Sequence, residues 1–207
     1  MFYSIVKGIL SILIWLFFKF KVFGVENIPK EGGVIIASNH VSYLDIPFLA
    51  CGIKRSADFI AKSELFRNRV AGWILKRLGT FPVKRGSIDR WAISEAIKRL
   101  GDGRVIVIYP EGARSKDGRL SDPKRGIGMV VALSGARVIP SFIMGTDTIL
   151  PRGARRIRLN PVRLYIGSPL DFSSLKNVKK GKELYTEISE EIMRGIGDLE
   201  SKAKGRG

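Results

Sequence analysis

The sequence predicts an α/β fold: a single domain with a mixed, largely parallel sheet flanked by helices, plus an N-terminal amphipathic, membrane-associated helical segment. Three observations carry this. Short β-branched runs alternate with stretches whose apolar residues recur at helical spacing. The loops richest in reactive and charged residues fall where those runs end, which is where sites form in α/β sheets. The chain has 207 residues and no Pro/Gly/Ser-rich linker, a size that encloses one sizeable core. Residues 1–20 are expected to be the membrane-associating segment and residues 21–207 the α/β domain.

The first element is "FYSIVKGILSILIWLFF", residues 2–18. Its uninterrupted uncharged run, residues 8–18, is shorter than the ~20 residues of a spanning helix. Ser4, Lys7, Gly8 and Ser11 recur at three- and four-residue spacing and draw a narrow polar stripe on a broad apolar helix. Phe2, Tyr3, Trp15, Phe17 and Phe18 suit a headgroup boundary, and Lys19 and Lys21 are placed to reach lipid phosphates. The expectation is a helix lying in or dipping into a membrane. A buried core helix and a short spanning or re-entrant helix remain open as alternatives. A secretory signal would put its charge first and a small-residue cleavage site afterwards, and "FFKFKVFGV" has neither.

"KFKVFGVENIP" alternates apolar and charged residues as a half-buried strand does, and "GGVIIASN" (32–39) reads as an interior strand. Ser42 is expected to cap the helix of "YLDIPFLACG". "DFIAK" (58–62) is a strand, residues 69–79 a helix, and residues 80–86 a strand and turn. Ser87 is expected to begin an amphipathic helix that stops near Gly101 and Gly103. "RVIVIYPEGARS" (104–115) runs as a strand into a Pro-Glu-Gly turn. Residues 126–135 form a small-residue helix and 137–145 a strand. Residues 155–167 read as a hairpin on basic strands, and 179–202 as a closing charged helix.

Charge narrows the partners. Lys and Arg number 36 against 19 Asp and Glu, a formal net charge of +17. Such a surface attracts polyanions: nucleic acid, an anionic membrane, or phosphorylated small molecules. A hydrophobic content of 45% favours the membrane among these, because a peripheral membrane enzyme needs greasy as well as basic surface. The aromatics crowd the amino terminus instead of interleaving with basic residues along a sheet, so a nucleic-acid module is disfavoured. Cys51 is the only cysteine, which excludes an internal disulfide and a cysteine metal cluster and suits a reducing, intracellular location.

Three loops carry the candidate chemistry. In "SNHVSYLD" the chain's one histidine, His40, precedes Asp45 by five residues. The loop can fold the carboxylate onto one imidazole nitrogen and leave the other for a substrate proton, the arrangement general base catalysis requires. Ser42-x-x-Asp45 is equally a capping-box pattern, and spacing alone leaves both readings open. "FPVKRGS" sets Lys84 and Arg85 beside a glycine turn, and "YPEGARS" sets Glu111, Gly112, Arg114 and Ser115 on another. Guanidinium groups, a lysine and turn N–H groups together suit a phosphate. Glu111 is expected to accept a substrate hydroxyl, to hold Arg85 or Arg114, or to form a structural ion pair. Lys124, in "DPKRGIG", is expected to border the same pocket. The phosphate-loop, dinucleotide and nucleophile-elbow motifs are absent, and one histidine with one cysteine does not make a usual zinc site.

His-x4-Asp, "GTFPVKR", "YPEGARS" and "VIPSFIMG" follow one another in the order of the four blocks of the glycerolipid acyltransferases, and residues 20–170 resemble that family. HxxxxD alone is common; four blocks in order are specific. The bacterial 1-acyl-sn-glycerol-3-phosphate branch is the most similar. The resemblance implies that His40 is the base and Asp45 its partner, and that Arg85 binds the acceptor phosphate. Glu111 and Gly112 would bind the glycerol phosphate, with Arg114 and Ser115 contributing, and Pro140 would mark the acyl-donor block. It implies transfer from acyl-CoA or acyl-carrier protein, as co-substrate, to the sn-2 hydroxyl of lysophosphatidic acid, giving phosphatidic acid. It calls for no cofactor, metal or acyl-enzyme. The implied setting is the cytoplasmic face of the cell membrane, peripheral or monotopic, with anionic lipids and no specific nucleic acid as partners. Ala113 stands where the family usually has threonine, and Tyr109 where it usually has phenylalanine.

Overall fold

In the computed structural model, which describes residues 2–84, 89–150 and 156–205, strands and helices alternate for most of the chain. Helix α1 (Phe2–Phe18) leads into β1 (Lys21–Phe23), and β2 (Val34–Ser38) is followed by α2 (Asp45–Gly52). Strand β3 (Ala57–Lys62), a short 3-10 turn (Ser63–Phe66) and α3 (Arg69–Arg77) come next, then β4 (Phe81–Val83) and α4 (Arg90–Gly101). Strand β5 (Val105–Ile108) precedes α5 (Arg125–Ser134), and β6 (Arg137–Met144) precedes the short α6 (Thr146–Ile149). The chain closes with β7 (Arg163–Ile166), α7 (Ser173–Val178) and α8 (Gly181–Lys204).

The seven strands form one sheet in the order β1-β7-β6-β2-β5-β3-β4. Strands β6, β2, β5, β3 and β4 are mutually parallel; β7 runs antiparallel to β6, and β1 parallels β7. Side chains of β2 alternate between two cores, as the two-residue strand period requires. Ile35 and Ala37 join the core under α4, α5 and α8, whereas Val34 and Ile36 join the one under α1 and α2. A strand buried on both faces reads as an uninterrupted aliphatic run, which is why "VIIAS" shows no polar alternation. Helices α5 and α8 cross closely: a Cβ on Gly128 would lie 1.9 Å from the Tyr185 carbonyl oxygen, and the Gly128 N–H donates to Ser189 Oγ at 3.2 Å.

Three local expectations are corrected. The 155–167 hairpin does not form: within the described residues only Arg163–Ile166 is a strand, and it pairs with β6 and β1. Pro161 supplies the reason, since it has no N–H for a ladder and restricts Asn160 before it. Asn160 Nδ2 instead donates to Thr148 Oγ1 at 3.1 Å. The fourth helix is capped by Asp89, which accepts from the Ala92 N–H at 3.1 Å; Ser87 lies outside the described residues. The second helix begins at Asp45, and Ser42 Oγ accepts from the Leu44 N–H one turn ahead of it.

Helix α1 lies outside α2 with an unusual polarity. It docks through Tyr3, Lys7, Leu10, Ser11, Ile14 and Phe18, of which only Ile14 is fully buried. Lys7 Nζ donates to the carbonyl oxygens of Ile53 and Arg55 at the carboxyl end of α2, and burial lowers its pKa. The Tyr3 hydroxyl accepts from the Ala57 N–H at 3.2 Å. Ile9, Ile12 and Leu16 face outward at 57%, 68% and 70% exposure. Part of the predicted polar stripe therefore faces protein, and the apolar side faces out. Among the described residues no helix is long and apolar enough to cross a membrane.

Candidate active site

His40 and Glu111 follow the carboxyl ends of β2 and β5, which are neighbours in the sheet. Beyond Ser38 the side chain of Asn39 takes over the ladder: its Nδ2 donates to the Ile143 carbonyl at 3.0 Å, and its Oδ1 accepts from the Ile143 N–H at 2.8 Å. The backbone is thereby tied to β6 up to the residue before His40.

The Asp45 carboxylate is fully buried and bonded on both oxygens. Its Oδ2 accepts from His40 Nδ1 at 2.7 Å and from the backbone N–H groups of Val41 and Ser42 at 2.8 and 2.9 Å. Its Oδ1 accepts from Thr146 Oγ1 at 2.5 Å. The dyad and the helix-start contacts thus coincide in one oxygen, and the two readings of this loop describe a single arrangement. An imidazole that donates through Nδ1 to a carboxylate presents Nε2 as the acceptor. Thr146 is supplied by α6, a hundred residues away in sequence and one strand away in the sheet.

The Tyr109 ring lies against the imidazole, with centroids 3.9 Å apart and planes 14° from parallel. This fixes the plane of the His40 ring while Asp45 fixes its rotation. The Tyr109 hydroxyl is buried and has no hydrogen-bond partner among the described residues. Burial, and then the Asp45 carboxylate, push its pKa well above the ordinary value, so the phenol stays neutral. A buried hydroxyl without a partner costs about 1–3 kcal/mol. Tyr109→Phe keeps the stacked ring and removes that cost, so its thermal midpoint is expected to rise by about 2–4 °C per kcal/mol recovered. Calorimetry checks this, and an unchanged or lower midpoint contradicts it.

Glu111 is 4% exposed and acts here as a clamp between loops. Its Oε1 accepts from the His40 N–H at 3.2 Å, and its Oε2 accepts from Ser121 N and Oγ at 3.2 and 2.8 Å. Arg114 stacks over the exposed Tyr43 ring, 3.6 Å from its centroid, in place of pairing with Glu111. Gly112 has φ +71°, a left-handed conformation that favours glycine, and Lys124 Cγ would lie 3.2 Å from a Cβ there. The Lys124 N–H donates to the Pro110 carbonyl at 2.8 Å, so this lysine does border the turn. The Ser115 N–H donates to the His40 carbonyl at 2.7 Å, while Ser115 Oγ donates to Asp117.

Of the other predicted residues, Lys84 and Pro140 stand apart from these contacts. Lys84 is exposed at the end of the edge strand β4, three strands from β2, or roughly 14 Å at sheet spacing. Its N–H donates to Asp89 Oδ2 at 2.8 Å. Arg85 lies outside the described residues. Pro140 is buried within β6, against Gly167 and Gly195 of α8, where it packs the sheet. Among the described residues no cluster of His, Cys, Asp and Glu is placed to hold a metal ion. Sequence reasoning passed over Asn39, Tyr43, Ser121 and Thr146 as contributors. Asn39 alone had a visible signal, a polar residue directly after a buried strand.

A family model described as acyltransferase matches residues 19–144. The chain is 37% identical over 167 residues to the chloroplastic 1-acyl-sn-glycerol-3-phosphate acyltransferase LPAT1 of Arabidopsis thaliana, an alignment covering 77% of this chain and 46% of that protein. It therefore spans about half the length of that plant relative. It is 32% identical over 187 residues to the 1-acyl-sn-glycerol-3-phosphate acyltransferase of Bacillus subtilis, with 88% of each chain covered. Its fold matches the crystal structure of the 1-acyl-sn-glycerophosphate acyltransferase PlsC of Thermotoga maritima with a TM-score of 0.72 and 31% identity, over 95% of this chain and 81% of that one.

Proposed function

The chain belongs to the acyltransferase family, and on that premise we propose that it acylates the sn-2 hydroxyl of 1-acyl-sn-glycerol 3-phosphate, drawing the acyl group from acyl-CoA or acyl-carrier protein and yielding phosphatidic acid. The observation that carries the mechanism is the Asp45–His40 hydrogen bond, which leaves Nε2 as the free base. Nε2 takes the proton of the acceptor hydroxyl as its oxygen attacks the thioester carbonyl. Collapse of the tetrahedral intermediate breaks the C–S bond, and the imidazolium returns the proton to the departing thiolate. Asp45 stabilises the imidazolium between those events, and Tyr109 offers it a π-face. The hydroxyl attacks the thioester directly, so no acyl-enzyme intervenes.

Arg114 and Lys124 flank the Gly112 turn and supply positive charge for the acceptor phosphate, and Arg85 is proposed to contribute on the strength of the family resemblance. Arg85→Ala is expected to raise the acceptor KM about tenfold or more with a smaller change in kcat, since a lost charge-assisted contact weakens binding by about 1.5–3 kcal/mol. Steady-state kinetics with varied acceptor check this; an unchanged KM and kcat remove Arg85 from the phosphate site. The proposed setting is the cytoplasmic face of the membrane. The outward apolar side of α1 would lie among the lipids and its protein-facing side would hold the domain. The deciding experiment offers purified protein both thioester donors and a panel of lysolipids, with products identified by mass. Phosphatidic acid formed only with lysophosphatidic acid supports the reading, and acylation of a different acceptor alone overturns it.

A further inference from the structure

Helix α3 resembles neither a core helix nor an ordinary solvated one. Of its nine residues only Gly72 is buried, held near the Phe66 backbone. Val70, Trp73 and Ile74, spaced to share one helix face, are 68%, 52% and 38% exposed, and Leu65 just before them is 51% exposed. A helix this short is marginal in water unless an apolar face is docked. Its neighbourhood is strongly cationic: Lys62, Arg67, Arg69, Lys76 and Arg77 are all exposed, and Glu64 is the one carboxylate between residues 62 and 77. Arg77 lies over the Trp73 ring at 5.1 Å, an apolar body under a cationic cap. Phe2, at the start of α1, meets Trp73 edge-on with centroids 5.8 Å apart, so the exposed faces of α1 and α3 join.

We propose that α3 is a second lipid-docking element, which seats Val70, Trp73 and Ile74 at the headgroup boundary of an anionic membrane while the surrounding cations meet lipid phosphates. The proposal rests on the membrane reading of α1 given above and extends it. A single helix lying in the interface leaves the domain free to roll about the helix axis. A contact at Trp73, to one side of α1, stops that roll and fixes how the sheet, and His40 with it, faces the lipid. Apolar contact and positive charge act together here, as in other interfacial helices.

The chain's three tryptophans separate the claims. Paired Trp→Phe substitutions leave Trp15, Trp73 or Trp91 as sole reporter, each mixed with vesicles of phosphatidylglycerol and phosphatidylcholine brominated on the acyl chains. Trp15 and Trp73 are expected to shift to shorter wavelength and to be quenched. Trp91 belongs to α4, which packs on the opposite face of the sheet, and is expected to keep its aqueous emission. Quenching of Trp15 without Trp73 overturns the role of α3 and leaves that of α1; quenching of Trp73 without Trp15 does the reverse; quenching of neither removes both. A Trp73 emission already blue-shifted in vesicle-free solution, and lost on dilution, assigns the face to a second copy of the chain and overturns the lipid proposal. Val70→Ser, Trp73→Ser and Ile74→Ser combined are expected to lower vesicle partitioning by about tenfold or more. Unchanged partitioning of that folded variant, with its circular dichroism native, also overturns the role of α3.

Discussion

His40→Ala is expected to lower acyl transfer by about 10⁴-fold, to the background rate, because it removes the base proposed to move the proton in both halves of the reaction. The same change is expected to leave the fold intact. Without the imidazole, Asp45 still accepts from Val41 N, Ser42 N and Thr146 Oγ1, so its buried carboxylate keeps most of its partners. The backbone N–H of residue 40 still donates to Glu111, and its carbonyl still accepts from Ser115. A rate assay paired with thermal melting and vesicle binding checks this. Substantial turnover by purified His40→Ala protein would remove the base from the mechanism; a collapsed melting transition would show that the loop depends on the imidazole.

Asp45 separates stability from catalysis, and two substitutions there are expected to differ. Asp45→Ala strands the donors of Val41, Ser42 and Thr146 in a buried site, with an expected loss of about 3–5 kcal/mol, or roughly 6–20 °C in thermal midpoint. Asp45→Asn retains an oxygen at the Oδ2 position, and its amide can donate to the Thr146 hydroxyl, which is able to accept as well as donate. Its midpoint is expected to stay within a few degrees of native, while transfer falls by about 10–100-fold because the imidazolium loses its counter-charge. Native activity in Asp45→Asn would show that the carboxylate only builds the loop. A midpoint loss equal to that of Asp45→Ala would show that the charge itself holds the site.

How far the sequence could be read depends on the range of each interaction. The alternation of strands and helices was legible because each run carries its own period, and "VIIAS" betrayed a strand buried on both faces. The 155–167 region misled because basic and apolar residues alternate there, while Pro161 prevents the pairing that alternation suggests. The His40–Asp45 contact could be anticipated because five residues of one loop contain it. Thr146 could not, since nothing in "GTDTIL" announces that it will meet a carboxylate across the sheet. Glu111 was expected among cations, and its carboxylate is instead committed to His40 N–H and Ser121.

By itself the sequence determined the fold class and the family, and it set His40 and Asp45 in one loop, because periodicity, residue spacing and block order are all local along the chain. Tertiary structure decided which partners complete the dyad, since β2, β5 and β6 become neighbours only after crossovers that bring Tyr109 and Thr146 to His40 and Asp45. It also decided which way α1 faces. An amphipathic pattern specifies two faces but not which one meets protein, and here the carbonyls at the end of α2 claim Lys7 and leave the apolar side outward.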